Sequence, residues 1–406
     1  MSSRTLDADV VVVGAGPVGL YTATLLAAAG ADVVVLERRR ERTAHSRAIG
    51  IHPPALAALT RAGAAEELVR AGVRIAAGEA RCAGRRVARL SFGGVPGAHP
   101  FVLAVPQFRT EAVLERRAAE AGADLRRGVE ARGLRQGITA GADRVELRTT
   151  AGPVAARFVI GADGARSTVR SAAGIGTRGR TYPDTYAMGD FAEDPAPDPT
   201  GPGRLAVLYL ERDGIVESFP LPDGVRRWVV RTRGLVPQPT ADWLAATVEA
   251  RTGVALDPGR NSMLSSFAVR RRIADRFVRG RVALVGDAAH EVSPIGGQGM
   301  NLGWLDAAML VPRLLEALQP GPADGNDDAG REGGSRPGPD VAARLRDYSA
   351  VRRRAALAAA RQAHLNMALG RPLAEPWLSL RNGAIGRAAA AGPVHDAVAR
   401  VFTMSA

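Results

Sequence analysis

Two continuous apolar runs flank an alanine- and leucine-rich segment at the start of the chain. Val10–Val13 and Ala31–Glu37 have the unbroken hydrophobic character of buried parallel strands, and Pro17–Gly30 between them has the composition of a helix. A strand, a helix and a second strand in this order predict a βαβ unit. The chain therefore begins with the first unit of a parallel sheet.

The hydrophobic pattern changes character twice further along the chain. Up to about residue 180 it alternates between helical segments, such as Arg109–Gly122, and short strands. From Thr181 to Phe267, short apolar runs separated by turn residues predict antiparallel strands. An apolar strand returns at Arg281–Val285, and a long helix is predicted to begin near Gly299. The pattern predicts an α/β fold with an inserted β-rich unit.

The domain boundaries follow from these changes. We predict a discontinuous Rossmann-type domain made of residues 1–72, 93–180 and 268–360, and an inserted antiparallel β-sheet domain made of residues 73–92 and 181–267. We also predict a disordered insertion at residues 321–340 and C-terminal helices in residues 361–406. The insertion is assigned because residues 321–340 carry almost no apolar side chains and cannot support a packed core.

Composition narrows the class of partner. The formal net charge is +13 from 54 basic and 41 acidic residues, and every basic residue is arginine. The arginines are scattered, and only 4% of residues are aromatic, which argues against a stacking platform for nucleic acid. We therefore expect no nucleic-acid partner, whereas an anionic cofactor would suit the excess of positive charge.

Cysteine usage and the terminal segment bear on the compartment. Cys82 is the only cysteine, so no intrachain disulfide can form, and we assign no metal site. The first residues lack the features of a signal peptide, and no uncharged apolar run approaches the length of a membrane span. A cytoplasmic protein without a membrane partner is the expectation, and the oligomeric state stays open.

The sequence Gly14-Ala15-Gly16-Pro17-Val18-Gly19 joins the first strand to the first helix. Gly14 would allow a tight turn, Gly16 would let a pyrophosphate approach the backbone, and Gly19 would let helix and strand pack closely. Glu37 closes the second strand, where its carboxylate can accept hydrogen bonds from a ribose diol. This context favours a dinucleotide site over an ordinary glycine-rich turn.

A second motif, FVIGADGARSTVR, spans Phe158–Arg170. An apolar strand ends on a glycine turn that presents Asp163. This carboxylate is a candidate ligand-binding group, but capping of the following helix explains it equally well.

A third motif, RVALVGDAAHEVSPIGGQGMNLGWLDA, spans Arg281–Ala307. Its strand ends at Gly286-Asp287, where a carboxylate can bind a second polyol, and residues 296–299 then open a helix whose free N–H groups favour negative charge. A plain glycine-rich linker would explain neither the strand before this loop nor the helix after it.

In this order the three motifs resemble the single-component FAD-dependent aromatic hydroxylases, the family of para-hydroxybenzoate hydroxylase. The resemblance covers most of the chain and is weakest in residues 181–260. It implies that FAD is the cofactor and that the predicted cofactor-binding residues are Gly14, Gly16, Pro17, Gly19, Glu37, Arg38, Arg47, Gln107, Asp163, Gly286, Asp287, Pro294, Gly297, Gly299, Met300 and Asn301.

The resemblance also distributes roles among these residues. It places the first loop, Glu37 and Arg38 on the ADP moiety, Arg47 and Gln107 on the ribityl and pyrophosphate region, and Asp163 in a motif that serves both FAD and NAD(P)H. It places Asp287 on the ribityl chain, Pro294 at the reactive edge of the flavin, and backbone groups of 297–301 against the ring. The family often has two prolines before the glycine loop, whereas this chain has Ser293-Pro294.

The reaction implied by the resemblance is a monooxygenation. NADPH or NADH would reduce the flavin transiently, and O₂ would then give a C4a-hydroperoxide that hydroxylates an aromatic substrate, of polycyclic phenol or quinone type. The cofactor carries this chemistry, so no catalytic side chain is assigned; His290 is interpreted as structural, and the context of His45 and His52 indicates a catalytic role even less. Baeyer–Villiger oxygenation, flavin dehydrogenation and a flavin-binding protein that stabilises a reactive intermediate remain alternatives.

Six apolar residues in the β-rich unit recur at strand spacing and are candidates for the substrate pocket. Packing into the sheet core is the favoured interpretation for each of them. They are Leu205, Val207, Tyr209, Phe219, Trp228 and Val230.

Overall fold

The computed structural model describes residues 6–42, 48–136, 144–194, 205–319 and 339–405. In these residues the helices are α1 (Pro17–Ala28), α2 (Pro53–Thr60), α3 (Ala65–Ala71), α4 (Gln107–Glu120), α5 (Thr168–Ala172), α6 (Ala241–Thr252), α7 (Gln298–Leu318), α8 (Pro339–Leu369), α9 (Trp377–Ala390) and α10 (Gly392–Phe402).

The strands of the described residues are β1 (Ala8–Val13), β2 (Val33–Glu37), β3 (Gly50–Ile51), β4 (Val73–Ile75), β5 (Ala77–Cys82), β6 (Arg85–Ser91), β7 (Val102–Ala104), β8 (Asp124–Arg127), β9 (Ala131–Gln136), β10 (Val145–Thr149), β11 (Gly152–Gly161), β12 (Thr177–Ala192), β13 (Ala206–Tyr209), β14 (Val216–Leu221), β15 (Val225–Thr232), β16 (Asn261–Ala274), β17 (Val278–Arg279), β18 (Val282–Leu284) and β19 (His290–Glu291).

The first sheet is built around parallel strands. Its path is β17-β18-β11-β1-β2-β8, with β10 and β9 added beside β11. In its centre Val11 pairs with Val34 on one side and Val159 on the other, and all three side chains are buried. Unbroken apolar strands of this kind are buried on both faces of a parallel sheet. The predicted βαβ unit and α/β fold class are confirmed.

A second sheet, which we call the β-rich sheet, has the order β19-β16-β12-β15-β14-β13-β5-β6. Its longest strands, β12 and β16, pair antiparallel from Thr177 opposite Ala274 to Phe191 opposite Asn261. Helix α6 packs on one face of it, a helix that the strand pattern of residues 181–267 did not predict. The strands β3, β7 and β4 form a third, smaller sheet, whose Ile75, Val102 and Ala104 pack in one buried cluster with Ala206 and Leu221 of the β-rich sheet.

The two faces of the β-rich sheet have different coverings. Val207, Tyr209, Trp228 and Val230 are buried in a cluster with Leu244 and Val248 of α6, and Leu205 packs against it. Phe219 belongs to the opposite face. For Leu205, Val207, Tyr209, Trp228 and Val230 the sheet-core interpretation is confirmed. A substrate pocket therefore has to be sought on the opposite face of the sheet, which does not contact α6.

Some predictions concern residues outside the described ranges. Residues 320–338, which hold nearly all of the predicted insertion, and Arg47 lie outside them, while α8 already begins at Pro339. The domain boundaries stay a prediction. Within the described ranges no helix is both long and apolar enough to cross a lipid bilayer.

Candidate functional site

The first glycine loop combines tight packing with one open position. A Cβ on Gly14, whose φ is +107°, would lie 2.4 Å from the carbonyl oxygen of Ala162, and a Cβ on Gly19 would lie 1.9 Å from that of Gly14. A Cβ on Gly16 would have no heavy atom within 4 Å. The outer glycines therefore permit contact between chain segments, whereas Gly16 leaves free space at the N-terminus of α1.

Glu37 lies at the carboxyl end of β2, beside this loop. Its Oε2 accepts a hydrogen bond from the Ala15 N–H at 2.9 Å, and its Oε1 accepts one from the Arg39 N–H at 2.9 Å. An ionised carboxylate has about four lone-pair sites, so both oxygens can accept further bonds. The two contacts orient the half-buried carboxylate, while the neighbouring Arg38 is exposed.

Asp163 follows β11, and its carboxylate accepts a hydrogen bond from the first turn of α5, as the capping interpretation predicts. One oxygen, Oδ2, accepts from the Val169 N–H at 3.1 Å, while Ser167 is the N-cap residue of α5. The other oxygen, Oδ1, is buried and lacks a hydrogen-bond partner in the part of the chain that the structure describes. Burial raises the pKa of Asp163, opposed by its hydrogen bonds from Ser167 and Val169. The capping interpretation accounts for only one of its oxygens.

The turn after β18 presents a carboxylate to solvent. Gly286 adopts φ +59°, and Asp287 after it is exposed. A Cβ on Gly299, at the start of α7, would lie 3.9 Å from Asp287 Oδ1. The Asp287 carboxylate and the N-terminus of α7 therefore border the same open space.

The second glycine loop leads into α7. Gly296 and Gly297 have φ +93° and +66°, values that favour glycine, and Gly297 is the N-cap residue. Pro294 and Gly297 are exposed, and Met300 is half-buried. The free N–H groups and the positive end of the helix dipole thus face outward beside Asp287, an arrangement suited to an anionic group.

The parallel sheet brings all of these loops together. The strands β2, β1, β11 and β18 are consecutive neighbours, and β1 and β2, β1 and β11, and β11 and β18 run parallel. Their carboxyl ends therefore lie at one edge, where open parallel sheets bind ligands. Glu37, Gly16, Asp163 and Asp287 follow those four strands, and this edge is the candidate site.

Comparison with known proteins identifies the cofactor of the family to which the chain belongs. The family model described as "FAD binding domain" matches residues 7–335. The chain belongs to this family. The predicted family and its FAD cofactor are confirmed, whereas the roles of individual residues stay predictions.

Three similar proteins represent the relatives. The chain is 36% identical over 319 residues to a rifampicin monooxygenase from Streptomyces venezuelae, covering 75% of this chain and 63% of the relative. The crystal structure of p-nitrophenol 4-monooxygenase from Pseudomonas putida DLL-E4 matches with a TM-score of 0.83 and 25% identity over 99% of both chains. A Diels-Alderase from pyrroindomycin biosynthesis matches with a TM-score of 0.76 and 28% identity, over 97% of this chain and 80% of that one.

The curated relatives are longer proteins. This chain spans just under two thirds of the rifampicin monooxygenase and of other curated relatives. The matched region contains the three motif loops and the β-rich sheet, since the family model ends only at residue 335.

The FAD-binding chain also contains a buried ionic cluster that its motifs did not reveal. Asp306 of α7 is fully buried and accepts hydrogen bonds from the Gly286 N–H at 3.1 Å, His290 Nε2 at 2.5 Å and Arg352 Nε at 2.7 Å. It holds the turn that presents Asp287. The signal in the sequence is an acidic residue inside the apolar helical stretch NLGWLDAAML.

The side chain of Asn301 is used entirely within the protein. Its Oδ1 accepts from the His52 N–H at 2.8 Å, and its Nδ2 donates to the carbonyl oxygens of Gly50 and Gly297 at 2.9 and 2.7 Å. The residue is fully buried. Only its backbone can serve the predicted contact with the flavin, and its amide holds the glycine loop to the 50–52 segment.

The two histidines near the site, His52 and His290, are both buried and contact other protein groups. His52 is buried with Nε2 3.2 Å from the carbonyl oxygen of Gly296, and burial lowers its pKa to about 4, so the ring is neutral at physiological pH. His290 is buried against Asp306.

Gln107, the first residue of α4, donates from Nε2 to Glu111 Oε1 at 2.7 Å, which positions its amide.

Replacing Asp287 with alanine should weaken FAD binding without affecting the fold. Its carboxylate is exposed, and loss of a charge-assisted hydrogen bond to a polyol corresponds to roughly 1.5–3 kcal/mol. Flavin titration of the apoprotein, with thermal unfolding as control, measures both effects. Asp287→Asn, which keeps an acceptor but no charge, should lie between the parent and Asp287→Ala. Unchanged FAD affinity in both variants would remove Asp287 from the site.

Proposed function

We propose that the protein is an FAD-dependent monooxygenase that consumes NADPH or NADH and O₂ and hydroxylates an aromatic substrate. The observation that carries the proposal is the shared edge of the parallel sheet, where the open position at Gly16, the exposed Asp287 and the N-terminus of α7 follow neighbouring parts of the sheet. FAD, when bound, supplies the redox chemistry with nicotinamide and with oxygen.

The residues of this edge fit the successive parts of FAD. The open position at Gly16 would receive the pyrophosphate, and Glu37 would bind the adenosine ribose. Asp287 would bind the ribityl chain, and the N–H groups after Gly297 would meet the pyrimidine edge of the ring. The α7 dipole would stabilise negative charge there, which is the main electrostatic task of the protein in this chemistry.

Water exclusion would come from the free face of the β-rich sheet. Ile295, between Pro294 and the glycine loop, is buried in the same apolar cluster as Met188 and Val229 of that sheet. An aromatic substrate bound there would lie between the sheet and the ring of the flavin. The largely apolar character of this face favours a polycyclic phenol or quinone, and a protein supplied by NAD(P)H would work in the cytoplasm.

The relatives support this assignment in two ways. The names of the rifampicin and p-nitrophenol enzymes both denote monooxygenases, and the second covers 99% of this chain. A second candidate function, a flavin-binding protein that guides a reactive intermediate without net oxidation, is favoured by the likeness to the Diels-Alderase.

The purified protein should be yellow, should release FAD on denaturation, and should oxidise NADPH or NADH faster when a phenol is added. Incorporation of ¹⁸O from labelled O₂ into the product distinguishes oxygenation from dehydrogenation. The position of the new oxygen separates hydroxylation from Baeyer–Villiger insertion.

Two results would contradict the proposal. Bound FAD without any substrate-stimulated oxidation of NAD(P)H, over a panel of mono- and polycyclic phenols, would favour the second candidate. A colourless preparation that FAD cannot reconstitute would contradict the site itself.

A further inference from the structure

An acidic side chain lies in the apolar face of the β-rich sheet that α6 leaves uncovered. Glu217 of β14 pairs with Leu208 of β13 on one side and Val229 of β15 on the other, and both belong to the cluster on that face. Its sequence neighbour Val216 is buried in the cluster against α6. Since side chains alternate along a strand, Glu217 points to the face opposite α6.

This face abuts the second glycine loop. The cluster joins buried residues of β12, β15 and β16 to Ile295 of that loop and Met367 near the end of α8. Phe219, Met263 and Phe267 pack against it and are only partly buried. Glu217 therefore lies on the surface at which the proposed function places the aromatic substrate.

Glu217 has no partner in the structure. It is 7% exposed, yet it forms no hydrogen bond or ion pair with any of the described residues, and burial raises its pKa to about 7. The other buried carboxylates of the sheet are paired: Glu79 with Arg81, Asp184 with Arg231 and Arg371, and Asp190 with Arg227.

A second unpaired polar group lies on the same face. The hydroxyl of Tyr186 on β12 is buried and without a hydrogen-bond partner among the described residues, and its ring stacks on Phe267 with centroids 5.6 Å apart. Burial, and after it the negative charge of Glu217, raises the pKa of this hydroxyl. The strand register places the two groups near each other: Val229 of β15 pairs with Glu217 on one side and with Met188 of β12 on the other, and Tyr186 lies two residues before Met188 on the same face.

The Tyr186 hydroxyl is fully buried, and Glu217 is only 7% exposed, so a bound ligand could supply the hydrogen bonds that both groups lack. Native proteins leave few polar groups without a partner, because each one loses its hydrogen bonds to water on burial. Glu217 lacks a donor, and Tyr186 lacks an acceptor. A phenol offers one donor and free lone pairs on the same oxygen, whereas an ammonium offers three donors and no acceptor.

We propose that Glu217 and Tyr186 bind the hydroxyl group of a phenolic substrate, with Glu217 as the acceptor of its proton and Tyr186 as a donor to its oxygen. The inference rests on the proposed monooxygenase function and adds the substrate contact. The phenol O–H bond breaks as an O–H bond forms on Glu217, so the pair keeps a single negative charge. That charge moves onto the phenol oxygen and enriches the ring in electrons, which favours its oxygenation.

Other titratable groups surround this face, and several of them already have partners within the protein. Those nearest this face come from β12, β15 and the region of α8 and α9, where Asp184 is bound by two arginines and Tyr182 stacks on His364. They are Tyr182, Asp184, Arg231, His364, Arg371 and Arg381. A change in proton binding that depends on Glu217 can therefore be assigned by replacing Glu217 itself.

The test measures proton uptake when the FAD-loaded protein binds 4-nitrophenol, whose phenol and phenolate forms absorb at different wavelengths. At a pH where both the probe and Glu217 are ionised, wild-type protein should take up about one proton per bound probe, and its affinity should fall as the pH rises. Glu217→Gln and Glu217→Leu should take up none. Both should also lose most of the phenol-stimulated hydroxylation.

A matched control and a stability measurement separate this role from a structural one. Glu79→Gln changes another buried carboxyl of the same sheet, one paired with Arg81, and should leave the proton uptake intact. Glu217→Leu should unfold at a temperature no lower than the parent, because it removes an unpaired polar group.

The outcomes distinguish the two proposals. If wild-type protein hydroxylates phenols but both Glu217 variants take up the same proton and turn over at the same rate, the substrate contact is refuted and the monooxygenase function stands. If wild-type protein neither binds nor oxidises any phenol, the proposed function and this contact both fail.

Discussion

Replacing Gly16 with valine should abolish FAD retention while leaving the apoprotein as stable as the parent. Gly16 has φ −76° and ψ 177°, an extended conformation that valine adopts without strain, and no heavy atom lies within 4 Å of a Cβ built there. A valine side chain would occupy the space that the pyrophosphate needs. We expect the dissociation constant for FAD to rise at least roughly a hundredfold, equivalent to about 2.8 kcal/mol.

Flavin titration and thermal unfolding of the apoprotein test this result. Gly19→Ala is the matched control, because its Cβ would lie 1.9 Å from the carbonyl oxygen of Gly14 and must displace backbone. That variant should lose stability together with FAD. If Gly16→Val binds FAD as tightly as the parent, the pyrophosphate does not lie at this loop, and the order of the site along the sheet edge has to be revised.

The loops of the site could be predicted because each is local in sequence. A strand, a glycine turn and a helix lie within about thirty residues, and the demands of the turn on Gly14 and of close packing on Gly19 are visible in the residue types. Parallel pairing of the strands then brings the loops to one edge, since successive strands in such a sheet share their direction.

The partners of single polar side chains could not be predicted in this way. Asp306 joins Gly286, 20 positions before it, to Arg352, 46 positions after it, and nothing in the local pattern selects those partners. Glu217 interrupts the apolar run Ile215–Leu221 in the same manner as Asp306 interrupts its helix. An acid inside an apolar element indicates a special environment, but only the fold shows whether it is paired.

The faces of the β-rich sheet illustrate the same limit. The alternation of apolar and polar residues places Val207 and Trp228 on one face of the sheet. The same pattern does not show which of the two faces packs against a helix and which lies towards the flavin-binding loops. Because α6 itself went unpredicted, the buried face was also the candidate for the substrate pocket. The structure resolves the question, because the face of β12 and β16 opposite α6 forms a buried cluster with Ile295 of the second glycine loop.

Asp306→Asn should destabilise the apoprotein by roughly 3–5 kcal/mol, the usual cost of breaking a buried ion pair. The groups around Asp306 are all donors: the Gly286 N–H, His290 and Arg352. Asparagine offers one acceptor and places an NH₂ among them. FAD affinity should fall as well, because the Gly286 turn that presents Asp287 loses its anchor.

Denaturant unfolding with a matched variant measures the effect. Asp347→Asn removes an exposed carboxylate that pairs with Arg313 between α8 and α7 at 3.1 Å, and it should change stability by no more than about 0.5 kcal/mol. Equal effects of the two substitutions would show that the cluster around Asp306 contributes no more than a surface ion pair.

The pH dependence of stability gives a sharper test of the same cluster. Burial acts against both charges, but the mutual attraction of the pair lowers the pKa of Asp306 and raises that of His290. The Asp306 contribution is present above the unfolded pKa of about 3.9 and is lost as the pH falls through its lower folded value. The His290 contribution is present below about 6.5 and is lost as the pH rises through its higher folded value. Asp306→Asn should therefore remove the alkaline decline that His290 causes, and an identical decline in parent and variant would show that His290 is not charged by Asp306.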